Sequence, residues 1–206
     1  MARLGNLNGK NIMELKFQYN KVSLQKFQYD VKVRMRALPI LRAKESALRV
    51  EVKRLRNKIT GLELELEKLR KPIMENIKFW SEFPDVIKVK SIDAYKSSIA
   101  GVHIMTYHEV IFDVDWFSVF QEPKWFLEGI KILKNYLSKQ IQISVEKDNL
   151  AKLIRAGKKT TQKVNLYEKI QIPAYNRAML QIKRFLEDEE NLSRAGQKIM
   201  KKRKVD

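Results

Sequence analysis

The stretch Leu41-Arg42-Ala43-Lys44-Glu45-Ser46-Ala47-Leu48 opens a pattern that continues to Ile73. Its apolar positions are Leu41, Leu48, Val52, Leu55, Ile59, Leu62, Leu66, Leu69 and Ile73, with Glu45 filling one slot. The steps alternate between four and three, the seven-residue repeat of a helix that lays one apolar seam along a partner helix. Arg49, Lys53, Arg54, Arg56, Glu63, Glu65, Glu67 and Lys68 lie between the seam positions and belong to water-facing surfaces. A helix of this kind cannot bury its stripe alone, so another segment or another protein must cover it.

N-terminal to the seam the same period is present at Leu24, Phe27, Val31, Leu38 and Leu41. Pro39 interrupts it, and an internal proline costs a helix about 3 kcal/mol. A bend or loosened turn is therefore expected between Met35 and Pro39. A helix over 21–80 would be roughly 90 Å long. Beyond Pro123, the threes and fours return at Phe126, Ile130, Leu133, Leu137, Ile141 and Val145. They continue through Leu150, Leu153, Ile154, Val164, Tyr167, Ile170, Ala174, Ala178, Ile182 and Phe185, with Pro173 as a break in the ladder. Two long amphipathic helices joined by a compact piece predict a mainly α fold: an antiparallel two-helix coiled coil with a small head at the turn-around.

That head is expected over 81–123. Val86 to Lys90 and Val102 to Tyr107 read as short strands separated by polar residues and Gly101, and Val110, Ile111 and Phe112 extend the apolar patch. A hairpin of this size is marginal alone. It is expected to pack on the ends of the helices through Trp80, Phe83, Trp116, Phe117 and Phe120. The predicted organisation is a flexible lead over 1–20, rich in Gly and Asn, helices over 21–80 and 124–190, and a basic tail over 191–206.

The chain has 206 residues, 44% of them hydrophobic, with 42 Lys and Arg against 24 Asp and Glu, for a net charge of +18. Such a charge points to a negative partner: nucleic acid, a lipid surface or an acidic protein cavity. The open end of the predicted pair is basic, the head acidic at Asp113, Asp115, Glu122 and Glu128, and the unlike ends suggest two different partners. Cysteine is absent, which excludes disulfides, thiolate metal sites and cysteine nucleophiles. Residues 1–12 lack the apolar run of a signal peptide. No run approaches the ~20 apolar residues that a membrane span needs.

Motifs for chemistry are weak. Gly157-Lys158-Lys159-Thr160 lacks the first glycine and the preceding strand of a phosphate-binding loop. His103 and His108 could join Glu109 or Asp113 around a metal, but their spacing matches no ligand set, and they are read as half-buried strand residues. Glu63, Glu65 and Glu67 diverge around a helix and form a solvated face. Lys201-Lys202-Arg203-Lys204-Val205 has the composition of an import signal or nucleic-acid tail, which a chain this basic produces by chance. The cluster of Trp80, Trp116, Trp125 and Phe126 is read as packing of the head on the helices rather than as a base-stacking platform. No catalytic residue, metal or cofactor follows from these residues.

Three further stretches carry a family likeness. Leu24-Gln25-Lys26-Phe27 through Ile40 to Leu48, Ile99-Ala100-Gly101-Val102, and Lys163-Val164-Asn165-Leu166-Tyr167-Glu168-Lys169-Ile170-Gln171-Ile172-Pro173 occur in this order along the chain. Together they resemble the D subunit family of the rotary V-type and A-type ATPases, the third stretch most specifically. The acidic cluster Glu187 to Glu190 before a Lys-rich end is also similar. Ala37, Pro39 and Arg42 depart from the family pattern.

The resemblance implies a non-catalytic central-stalk rotor subunit that carries torque between the catalytic hexamer and the membrane ion rotor. It implies partners in the catalytic and regulatory subunits, a small F subunit and a membrane-rotor docking subunit, with no specific nucleic acid and no membrane insertion. It implies a cytoplasmic location, peripheral on the membrane, and no cofactor. Lys26, Arg34, Arg36, Lys163 and Arg177, near the open end, are the expected contacts with the hexamer. The competing reading is a basic coiled-coil protein that binds nucleic acid or scaffolds a complex, which predicts steeply salt-dependent DNA or RNA binding.

Overall fold

A computed structural model describes residues 3–7, 10–75, 80, 83–115 and 125–202. In chain order the elements are strands β1 (Arg3–Leu7) and β2 (Lys10–Glu14), helix α1 (Lys21–Glu75), and strands β3 (Ile87–Ile99) and β4 (Val102–Val114). Helix α2 (Trp125–Asn165), a π-helical turn (Leu166–Gln171) and helix α3 (Ile172–Lys202) follow without a loop between them. The chain is mainly helical, with an antiparallel β-hairpin between the long N-terminal and C-terminal helices, as the periodicity predicts. It divides into two compact units, one of residues 1–45 with 159–206, the other of residues 46–158.

In the first unit the start of α1 pairs antiparallel with the end of α2, the π-turn and α3. Glu45 meets Thr161, Arg42 meets Glu168 and Arg34 meets Gln171, so one number rises as the other falls. The core joins Phe27 and Val31 to Tyr175, Ala178 and Ile182, with Leu15, Phe17, Leu24 and Met179 around it. Asn20 caps α1, its Oδ1 accepting from the Ser23 N–H at 2.7 Å, and satisfies a donor that has no partner inside the helix. β1 and β2 pair antiparallel from Arg3 opposite Glu14 to Leu7 opposite Lys10, and β2 lies beside the π-turn and α3. The expected flexible lead therefore contains a strand pair. Its ladder takes in Gly5, Asn6 and Asn11, residues that composition alone reads as a lead-in.

Neither proline ends its helix. α1 continues as helix through Pro39, where spacing predicts a bend or loosened turn; the proline is exposed, so water can serve the carbonyl that loses its donor. At Pro173 the ladder widens instead. The Ile172 N–H bonds the Tyr167 carbonyl, five residues back, closing the π-turn directly before the proline. A proline ring collides with the carbonyl four residues earlier in an α-helix, and one inserted residue moves that carbonyl away.

In the second unit the seam finds its cover. Leu48 and Leu55 pack with Leu153 and Ile104, joined by Val52, Leu150, Ile99, Ala100 and Val102. Ile59, Leu62, Ile130 and Ile143 are also buried. Ion pairs rung the two helices: Lys58 with the buried Glu146, Glu63 with Lys147 at 2.7 Å, and Glu65 with Lys139 at 2.7 Å. The Lys139 ammonium, by hydrogen bond and charge, holds the Glu65 carboxyl below its ordinary range.

The hairpin is longer than predicted, thirteen residues in each strand. Its two-residue turn sets Ala100 at φ 50° and Gly101 at φ 72°, the doubly positive geometry of a type I′ turn. The sequence places it on the helix ends, but it lies along α2. Lys134 Nζ stands 6.0 Å over the Phe112 ring, Asn149 holds Met105, and Ile104 packs with Leu153. From Lys134 to Asn149 a helix rises about 22 Å, and from Met105 to Phe112 a strand covers about 23 Å. The matching lengths let an otherwise marginal ribbon be anchored to α2 at Phe112, Met105 and Ile104.

Near the base of the hairpin, Trp80, Phe83, Trp125 and Phe126 form one aromatic cluster with centroids 4.6 to 6.1 Å apart. The expectation that these rings pack the middle piece on the helix holds for them. Trp116, Phe117, Phe120, Glu122, Pro123 and the tail from Arg203 onward lie outside the described residues. No helix among the described residues is long and apolar enough to cross a membrane.

Candidate functional site

The five cations expected to meet a partner all belong to the first unit, and the structure separates them into two kinds. Lys26, Arg36, Lys163 and Arg177 are exposed on the helix surfaces. Arg34 is engaged within its own unit. Its Nε donates to Gln171 Oε1 at 2.7 Å, and its Nη1 donates to the Asp30 carbonyl at 2.8 Å and to Asp30 Oδ1 at 3.1 Å. Nη2 donates to the Tyr175 hydroxyl at 3.1 Å. The guanidinium carbon lies 4.7 Å from the Tyr175 ring centroid and 5.8 Å from that of Tyr167.

Arg34 thus grips the π-turn at Tyr167 and Gln171, and α3 at Tyr175, from its place on α1. Arginine suits this because one planar group donates in several directions while stacking on aromatic faces. The clamp sits where the ladder of α2 and α3 is widest, and β2 backs the same turn. Burial pushes the Tyr175 phenol up from its ordinary value, outweighing the Arg34 charge, which acts to lower it. Lys163 stands 5.8 Å from the Tyr167 ring, so this exposed cation adjoins the clamp. Arg42 and Glu168 add an exposed ion pair one step further along, and the hydrogen bond and charge of Glu168 raise the Arg42 guanidinium above its usual value.

Beside Arg36, one of the exposed cations, runs a shallow apolar groove. Val31, Met35 and Met179 line it, with Gln28, Lys32 and Arg36 at its rim. Spacing alone could place these cations at the open end of the predicted helix pair but could not reveal that Arg34 faces inward. Its partners Gln171 and Tyr175 are 137 and 141 residues away, and no local signal joins them.

The remaining motifs resolve simply. Gly157 to Thr160 lie within α2 and form no loop, and Thr160 is buried. His103 and His108 are exposed, rather than half-buried as expected, because long stretches of the ribbon face water on both sides. His108 Nδ1 lies 3.2 Å from Asp93 Oδ2. Glu63, Glu65 and Glu67 are exposed and paired with Lys147, Lys139 and Arg70.

Comparison with known proteins is consistent along the chain. The family model for the D subunit of ATP synthase matches residues 23–202. A protein of Borreliella burgdorferi, named as the D subunit of a V-type ATP synthase, is 29% identical over 189 residues, covering 90% of this chain and 94% of the relative. A Chlamydia pneumoniae protein of the same name is 29% identical over 119 residues, 58% of this chain and 56% of that one. The π-turn, its proline and the Arg34 clamp all fall inside the matched region. The chain belongs to the ATP synthase D subunit family.

Proposed function

We propose that this protein is the central-stalk rotor subunit of a V-type or A-type ATPase, carrying torque between the catalytic hexamer and the membrane ion rotor. The observation that carries the reading is the match to the D subunit family over residues 23–202. The helix pairing within each unit supports it. A torque-bearing element must resist twist, and two helices joined by buried seams and side-chain rungs resist it better than one.

On this reading 21–80 and 124–190 supply the shaft helices, 81–123 supplies the head, and 1–20 and 191–206 flank them. The chain hydrolyses nothing; the partners do the chemistry. Those partners are the catalytic and regulatory subunits, a small F subunit and a subunit that docks on the membrane rotor. The protein works at the cytoplasmic face, attached to the membrane through the complex.

The exposed cations suit a surface that must let go as readily as it holds. Exposed ion pairs are worth only about 0–1 kcal/mol each, so contacts of Lys26, Arg36, Lys163 and Arg177 with a partner can break and re-form as the shaft turns. Affinity purification of the native complex, followed by mass spectrometry, tests the assignment. Recovery of the ATPase hexamer subunits is expected. A preparation carrying nucleic acid and no ATPase subunits overturns it.

A further inference from the structure

We propose that Asp93, His108 and Glu109 form a divalent-cation site of the zinc type that staples β3 to β4. The ladder pairs Asp93 with Glu109 and Ala94 with Tyr107, which leaves His108 as an extra residue at a bulge. In a regular strand His108 and Glu109 would point to opposite faces. The bulge re-aims them, so both side chains converge with Asp93 across the ribbon.

One ligand atom from each residue lies within 4.8 Å of the other two, and His108 Nδ1 lies 3.2 Å from Asp93 Oδ2. Tetrahedral zinc with bonds of about 2.0–2.2 Å to nitrogen and oxygen separates its ligand atoms by about 3.4 Å. Small side-chain rotations therefore bring the three atoms onto one ion. One imidazole and two carboxylates form a ligand set that zinc accepts, and water would complete the coordination. The three residues come from paired strands rather than a loop, so the ion would bridge the ladder where the bulge leaves a residue unpaired. All three are exposed, which gives an ion open access and limits affinity.

Titration of the purified full-length chain with zinc chloride in a calorimeter tests this, with the Co(II) visible spectrum as a second readout. One saturable equivalent and a tetrahedral Co(II) spectrum are expected. His108→Gln and Asp93→Asn should each weaken binding at least about tenfold, since even groups that only orient a ligand change affinity 10–100-fold. His103→Gln should leave binding unchanged. Zinc should slow amide exchange around Asp93 to Tyr107 in the parent chain and not in His108→Gln. The helical circular dichroism of each variant shows that it is folded, and the positions are exposed. Absence of saturable binding overturns the proposal. So does diffuse uptake by several carboxylates that is insensitive to His108→Gln.

Discussion

Asn149 closes two hydrogen bonds on the backbone of Met105. Its Nδ2 donates to the Met105 carbonyl at 2.6 Å, and its Oδ1 accepts from the Met105 N–H at 3.0 Å. Asn149 is 1% exposed. The side-chain amide supplies β4 with the pair of bonds that another strand would supply, and so fixes the ribbon to α2. Replacing Asn149 with Ala orphans a backbone donor and acceptor, each costing about 1–3 kcal/mol when buried. We expect Asn149→Ala to destabilise the protein by about 2–4 kcal/mol in denaturant unfolding. Amide exchange at Met105 should rise more than exchange in the Leu48–Leu55 segment of α1.

Arg34 should behave as a structural arginine rather than as a partner contact. Arg34→Lys keeps the charge but not the planar fork, and we expect a loss of about 1–2 kcal/mol, with Arg34→Ala losing about 2–3 kcal/mol. Arg36→Ala, on the exposed surface, should change stability by less than about 0.5 kcal/mol. Equal effects from the two sites in thermal unfolding would contradict the clamp.

The buried Tyr175 phenol gives a pH dependence of defined sign. Its folded pKa lies above the ordinary tyrosine value near 10. Burial favours the neutral form, so the associated stability is fully present below the unfolded pKa. It is lost as pH rises through the folded one. Ultraviolet titration should show a tyrosine ionising above the ordinary tyrosine range, and Tyr175→Phe should remove that late step. A Tyr175→Phe titration curve superimposable on the parent's, apart from one ordinary tyrosine, would contradict it.

Ala100 carries backbone strain, since a non-glycine residue at φ 50° is disfavoured by about 1–2 kcal/mol. Ala100→Gly removes that strain but adds unfolded-chain freedom, and it gives up the contact of the methyl with the Leu48 cluster. A net gain of about 0.5 kcal/mol is expected, with Ala100→Val destabilising by more than about 2 kcal/mol. Chemical denaturation of the three chains gives the order directly.

Gly129 is required by packing. A methyl group there would lie 2.7 Å from the Phe83 ring, inside the aromatic cluster. Gly129→Ala should displace Phe83 and cost about 1–3 kcal/mol, although alanine favours helix. The near-ultraviolet circular dichroism of Trp80 and Trp125 should change in parallel.

Much of this fold is legible from spacing. Phe27, Val31, Leu48, Leu55, Ile59, Leu62, Leu153, Val164, Ala178 and Ile182 are apolar at helical intervals and are buried. Spacing does not reveal what buries a polar side chain. Between Ile143 and Leu153 the inward positions include Glu146 and Asn149, which an apolar count reads as surface. Spacing also underestimates strand length, because register shifts at Val89/Ser91 and Asp93/Ala94 break the period of two. The prolines are visible, but their outcomes depend on exposure at Pro39 and on one inserted residue before Pro173. Of the five expected contact cations, the basic character is local and readable, while the inward turn of Arg34 depends on residues far along the chain.

Rotation itself is the most direct measurement of the central claim. The intact ATPase is immobilised through its hexamer, and a probe is attached to a cysteine introduced at exposed Ser98 of the hairpin, in a chain otherwise free of cysteine. The rotor assignment predicts unidirectional turning of the probe that requires ATP and stops when ATP is withdrawn. A probe that stays fixed relative to the hexamer while ATP is hydrolysed at the full rate would contradict it.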